Sequence, residues 1–229
     1  KTIKYFLYLL ILITIGVIYL SYFGIETKKF NNLIKDKISQ TNSKIDIELN
    51  KVKIFLNFGN FTVGIKTNNP NIVFEDKKIK LKKIETNFPI RSFFKKGFTI
   101  KNAKIATKEN SLKDIIKATR TFRNTPQLYI FNKMVKEGVI IADIDLNFDD
   151  NGKLANNYNI KGLVKDAKLR LLNKKNINNI SFNFNIKDKQ YLLESGQIEY
   201  EKLKLYSKRI EVSNKEQYFL FEGDVSSPK

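Results

Sequence analysis

The chain has 229 residues, with 42 Lys and Arg against 23 Asp and Glu for a formal charge of +19, and it contains neither Cys nor His. Lack of Cys excludes disulfides, thiolate nucleophiles and Cys-built zinc or iron–sulfur sites, and lack of His excludes Ser–His and Cys–His catalysis. The lysines are spread along the chain, with short runs only at Lys77-Lys78, Lys82-Lys83, Lys95-Lys96 and Lys174-Lys175; they read as a solvated face, with attraction to acidic headgroups as the alternative.

The first element is the uncharged stretch Tyr5–Ile25, YFLYLLILITIGVIYLSYFGI. As a helix it would be roughly 31 Å long at ~1.5 Å per residue, enough to cross the hydrocarbon core of a bilayer. Tyr5, Tyr8, Tyr19, Tyr22 and Phe23 fall toward its ends, where aromatic rings favour the headgroup level. Its exit, Leu20-Ser21-Tyr22-Phe23-Gly24, lacks the small-residue pattern of a cleavage site. An uncleaved anchor is therefore expected, with a removed signal or a buried core helix as alternatives. Lys28–Gln40 follows as a short amphipathic helix with Phe30, Leu33, Ile34, Lys37 and Ile38 on one face.

From about Lys44 the apolar period becomes two. Ile45, Ile47 and Leu49 alternate with polar residues, and Val52, Ile54, Leu56 and Phe58 continue in the other parity, which predicts a bulge or turn near Asn50. Gly59-Asn60 is a turn, Phe61–Ile65 the next strand, and Ile72–Phe74, Ile79–Phe88 and Phe98–Thr107 three more. A helix capped by Asn110-Ser111 carries Leu112, Ile115, Ile116, Thr119 and Phe122 on one face and breaks at Pro126; a second, with Leu128, Phe131, Met134 and Val135, stops at Gly138. Ordinary packing against a sheet accounts for both stripes.

The remainder reads as strand. Ile140, Ala142, Ile144, Leu146 and Phe148 alternate with polar neighbours, Asp149-Asp150-Asn151-Gly152 is a turn, and Tyr158, Ile160, Gly162 and Val164 resume the pattern before it flips to Ala167, Leu169 and Leu171. Ile180, Phe182, Phe184 and Ile186 follow, then strands at Gln197–Ser207, Lys208–Ser213 and Gln217–Ser226. Roughly ten strands are thus expected, each with one apolar face that must be buried. The few short helices are too small to cover it. A sandwich, a barrel or a trough lined for lipid tails would each solve the problem. The N-terminal apolar helix disfavours an outer-membrane barrel, whose apolar face points outward, and composition does not choose between a sandwich and a trough. Asp143, Asp145, Asp149 and Asp150 read as solvated surface on a polar strand face and a turn, so no enzyme, metal or cofactor is expected; nor is a nucleic-acid partner, for want of any recognition motif.

The order of these elements resembles the N-terminal part of the AsmA-like family of Gram-negative envelope proteins, of the YhdP and TamB type. The likeness lies in the anchor and the following short helix, in IDIELNKVKIFLNFGNFTVGIKTNNPNIVFEDKKIKLKKIETNF, in FTIKNAKIATKENSLKDIIKATR, and in EGVIIADIDLNFDDNGKLANNYNIKGLVKDAKLRLL. It implies a mainly β fold with a few helices: a transmembrane anchor over 1–27, a membrane-proximal amphipathic helix over 28–43, and an elongated, curled antiparallel sheet over 44–229. That sheet would form a chorein-like β-groove with a helical insertion at about 109–136. The resemblance further implies a single-pass protein of the bacterial inner membrane with its β domain in the periplasm, contributing to phospholipid transfer between inner and outer membranes or to outer-membrane assembly. Its partners would be phospholipid, the inner membrane and envelope or outer-membrane proteins.

Under that reading Ile140, Ile144, Leu146, Phe148, Ile160, Val164, Ile180, Phe182, Phe184 and Ile186 line the groove. An anchored β-sandwich that scaffolds partners without lipid is the competing expectation. The first residue is not Met and the last four are Ser-Ser-Pro-Lys, so the chain is expected to be part of a longer protein.

Overall fold

A computed structural model describes residues 2–41, 43–75, 77–91, 100–122, 124–149, 151–171, 175–188, 190–214 and 219–228. Phe98 and Thr99, Asp150, Gln217 and Tyr218, and the Lys95-Lys96 pair lie outside these ranges, as do the side chains of Leu33, Lys37 and Phe122.

Helix α1 spans Thr2–Tyr22. Its Ile3–Tyr22 segment has a mean hydropathy of 2.2 and none of its best window is buried, so the expectation of a buried core helix is overturned. The helix ends earlier than the apolar run because Gly24 takes a left-handed φ of +65°, and the N–H groups of Phe23 and Gly24 both donate to the Tyr19 carbonyl. This is glycine's usual way of ending a helix. Ile25 instead opens strand β1, Ile25–Thr27, which pairs antiparallel with β3, Val52–Asn57.

Helix α2, Asn31–Thr41, begins three residues later than expected. It is held by Asn31 Nδ2, which donates to the carbonyls of Leu49 and Asn50 at 3.2 and 2.8 Å. A turn rather than a bulge separates β2, Ile45–Glu48, from β3: β2 leaves to pair with β5, Asn71–Phe74, while β3 pairs with β4, Thr62–Asn68. The sheet continues through β6, Lys77–Pro89, and β7, Asn102–Thr107. The short β8, Asn110–Ser111, pairs with β9, Val135–Asn147.

Helix α3, Leu112–Phe122, starts at Ser111, whose Oγ accepts from the Asp114 N–H at 3.3 Å. Helix α4, Pro126–Met134, has Thr125 as N-cap and the proline in its first turn, where no N–H is missed. It does not reach Gly138: Val135 already belongs to β9, is completely buried, and Gly138 lies inside that strand. Phe131 and Thr119, both placed on packed stripes by their spacing, are exposed.

Strands β10, Asn159–Arg170, and β11, Asn176–Lys187, fall where the alternation puts them. The next three are shifted: β12 is Gln190–Tyr200, β13 Leu203–Asn214 and β14 Phe219–Gly223. The expected strand Gln197–Ser207 contains a hairpin turn at Glu201-Lys202, both with positive φ. All fourteen strands join in one antiparallel sheet, ordered β1-β3-β4-β6-β7-β9-β10-β11-β12-β13-β14 with β2, β5 and β8 off this path. The two ends, β1 and β14, do not meet, so the sheet is open.

Candidate functional site: an apolar trough

Directly opposed residues of an antiparallel pair share a face. The register therefore joins Val52, Thr67, Ile84, Ile105, Ile144, Ile160, Ile186, Tyr191, Val212 and Phe221 into one row across the whole sheet. At ~4.8 Å between strands such a row runs roughly 45 Å. A second row on the same face passes from Ala142 through Gly162, Phe184, Leu193 and Ile210 to Gly223.

Cover over this face is unequal. Helix α3 is wedged between two apolar clusters. On one flank Leu112 and Ile116 bury against Val135, Val164, Ala167 and Ile180. On the other, Ala118 joins Ile45, Phe74, Ile79 and Leu81 beside the paired strands β2 and β5. Along the first row, Val52 is 1% exposed and Thr67 buried, the isoleucines of β6 to β11 are half-buried, and Phe221 at the β14 edge is 67% exposed. Among the described residues the helical cover lies over one end of this trough, and its far edge at Phe221 is exposed.

Of the residues expected to line a groove, Val164 and Ile180 lie in the closed cluster under α3, and Ile140, Phe182 and Phe184 pack against that cluster. Ile144, Ile160 and Ile186 form the middle of the long row, half-buried and outside both buried clusters. Leu146 lies opposite Ala103, and Phe148 bridges Leu154 in the β9–β10 connection. Gly162 is needed where it stands: a Cβ there would lie 2.1 Å from the Ile141 carbonyl oxygen and 2.7 Å from the Phe184 ring. The missing side chain lets that ring lie across the floor of the trough, 6.4 Å from Phe182.

Curvature comes from a feature that the spacing only hinted at. Gly138, Asp166, Asn179 and Ser195 take positive φ on four successive strands, and the pairing register slips beside them. Each slip is an extra residue, which bends its strand and increases its twist. The apolar spacing widens from two to three as it passes, from Val164 to Ala167 and from Ile177 to Ile180. Side-chain bonds hold the irregularities: Ser181 Oγ accepts from the Asp166 N–H at 2.9 Å, and Asn179 Nδ2 donates to Glu199 at 2.7 Å.

The opposite face is polar. Lys83 pairs with Glu85 at 3.1 Å and Lys104 with Asp145 at 3.8 Å. Asp143 is exposed opposite Lys161, and Asp149 accepts from the Asn151 and Lys153 N–H groups to close its turn. Near α2, Glu48 bonds Lys78 at 2.6 Å and Asn71 at 2.9 Å, and these bonds, Lys78 first, hold its carboxyl below the usual range. No group of three or more carboxylates that could hold a metal occurs among the described residues.

The sequence placed Asn110 in the cap of α3, but Ser111 alone makes that bond and Asn110 does something else. Its buried side chain donates to the Lys80 and Lys108 carbonyls and accepts from the Lys80 N–H at 2.7 Å. The amide thereby replaces a strand partner for β6 at the start of α3. Comparison of the chain with known protein families, with characterised proteins and with solved structures finds no match.

Proposed function

We propose that the chain anchors in a bilayer through α1 and holds phospholipid acyl chains in the trough, contributing to lipid movement between inner and outer membranes or to outer-membrane assembly. The observation that carries this reading is the apolar row from Val52 to Phe221, covered at one end and half-open along β9 to β14. Acyl chains laid along Ile144, Ile160 and Ile186 would gain about 0.8 kcal/mol per buried CH₂. Headgroups would remain in water with little polar selection. On this reading the anchor sits in a bacterial inner membrane, the sheet lies in the periplasm, and the protein binds rather than catalyses.

Residues 24–229 keep β1 and dispense with the anchor, so they provide the test. Purified without detergent and analysed by mass spectrometry, this body should carry phospholipid that is lost from Ile160→Glu and Ile186→Glu but kept in Lys161→Glu. A folded body without lipid would overturn the reading. One observation favours a second reading, an interaction module: β13 runs Leu203–Asn214, yet β14 pairs with Ile210–Asn214, and beyond it, among the described residues, the Tyr206–Ser226 bridge alone engages that edge. Such an edge can accept a strand from a partner protein.

A further inference from the structure

The strand ends beside α1 present apolar side chains where a turn would ordinarily be polar. Gly24, two residues beyond the helix, lies against Ile54 and Phe55 of β3, and α1 contacts the same strand. From Phe55 the strand runs about three residues, roughly 10 Å, back toward the side from which α1 arrives. It reaches the tight turn Phe58–Asn60 there. The turn-forming pair Gly59-Asn60 is flanked by Phe58 and Phe61, which are 58% and 63% exposed with ring centroids 5.4 Å apart. Phe61 takes a left-handed φ of 48°, a conformation that a bulky residue seldom adopts. Tyr22 and Phe23, at the helix exit, are exposed as well.

The same end of the sheet is concave. Phe61, Ile90, Ile100 and Phe148 share a cavity of about 840 Å³ with Lys101 and Asp149 at its rim. Exposed Leu154 is bridged to Phe148, and Lys153 beside it is exposed. Exposed apolar rings and two lysines, Lys101 and Lys153, thus lie at the end of the sheet from which α1 arrives.

We infer that this end of the sheet lies in the headgroup layer of the bilayer that α1 enters, with Phe58, Phe61 and Leu154 inserted and Lys101 and Lys153 facing acidic headgroups. Aromatic side chains favour that depth, and lysines near an anionic surface are attracted by its potential. The end of the trough opposite α3 then meets the bilayer directly, and α3 closes the end that points away. The inference rests on α1 spanning a membrane, and not on the trough holding lipid.

The chain contains no Trp, so single tryptophans report depth without background. The full chain would be reconstituted in phosphatidylcholine–phosphatidylglycerol vesicles whose acyl chains are brominated either near the headgroup or near the chain end. Ile11→Trp, inside α1, should be quenched most by the deep label. Phe61→Trp, and Phe58→Trp should the first not fold, should lose roughly half its emission to the shallow label, as expected of a ring at the headgroup level. Tyr206→Trp, at the opposite end of the sheet, should be quenched by neither. Quenching at 11 with water-like, unquenched emission at 58 and 61 would overturn the inference and leave the anchor standing. No quenching at 11 would overturn both, and equal quenching at 61 and 206 would overturn the preferred end. Lipid retention by residues 24–229 is a separate readout, so failure of the trough reading is distinguishable from any of these.

Discussion

Two side chains fix the junctions on which the covered end of the sheet depends. Asn110 makes three bonds from a buried position. Asn110→Ala removes the acceptor of the Lys80 N–H and a donor to the Lys108 carbonyl, while the Lys80 carbonyl keeps the Lys108 N–H, and each buried unsatisfied group costs about 1–3 kcal/mol. The substitution should lower the thermal midpoint and raise amide exchange at Lys80, measured by hydrogen–deuterium exchange. The spacing placed this residue in a helix cap, where Asn is common; its bonds to Lys80 depend on β6, a strand distant in sequence, and so were not legible.

Lys35 and Asp46 join α2 to β2 at 2.8 Å. The bond from Lys35 holds the Asp46 carboxyl below its usual range, against a smaller opposing effect of burial, and the same bond raises Lys35. A lowered carboxylate contributes stability that is complete above its ordinary value of about 3.9 and is lost as pH falls through the lowered one. Carboxyl carbon shifts followed by NMR should show Asp46 titrating below that ordinary value. Lys35→Gln should return it upward, and an unchanged midpoint would show that the pair does not form in solution.

Among the elements, α3 decides where the trough ends. Ile116 is buried between α3 and the β9–β11 floor. Ile116→Ala should cost about 2–5 kcal/mol through the cavity it leaves, and it should loosen the cover over Val164. Denaturant unfolding measures the first effect. A spin label at Val164, attached through a cysteine in this cysteine-free chain, measures the second as a gain in mobility. Most elements were legible in the sequence. The long apolar helix, the Ser111 cap and the alternation of β9, β10 and β11 lie close to where the residues put them, because each follows from local chemistry. The register near β12 was not legible. Glu201-Lys202 turns the chain with positive φ at both residues, a task usually given to Gly or Asn, and neither side chain signals it. The early end of α4 escaped for the opposite reason, since Gly138 resembles a helix stop yet serves as an irregularity within a strand.

At the scale of the molecule, the pattern implied an excess of apolar sheet over cover but left open how the sheet would resolve it. Pairing order decides this, and order is set by contacts distant in sequence. The outcome is one open sheet with unpaired ends, bent by the column from Gly138 to Ser195. The widening of the apolar spacing at Ala167 was visible beforehand as a flip of parity; that four neighbouring strands flip at one level was not. Because the bend gathers the apolar rows without sealing them, residues of one row differ in cover. That difference is what the proposed function uses.

The most direct measurement is photo-crosslinking in cells, with a diazirine amino acid placed singly at Ile144, Ile186, Val164 and Lys161 of the full chain. The trough reading predicts phospholipid adducts at Ile144 and Ile186, few at Val164 beneath α3, and none at Lys161 on the polar face. Absence of lipid at Ile144 and Ile186 in a folded, membrane-attached protein, or adducts distributed equally over all four positions, would contradict it.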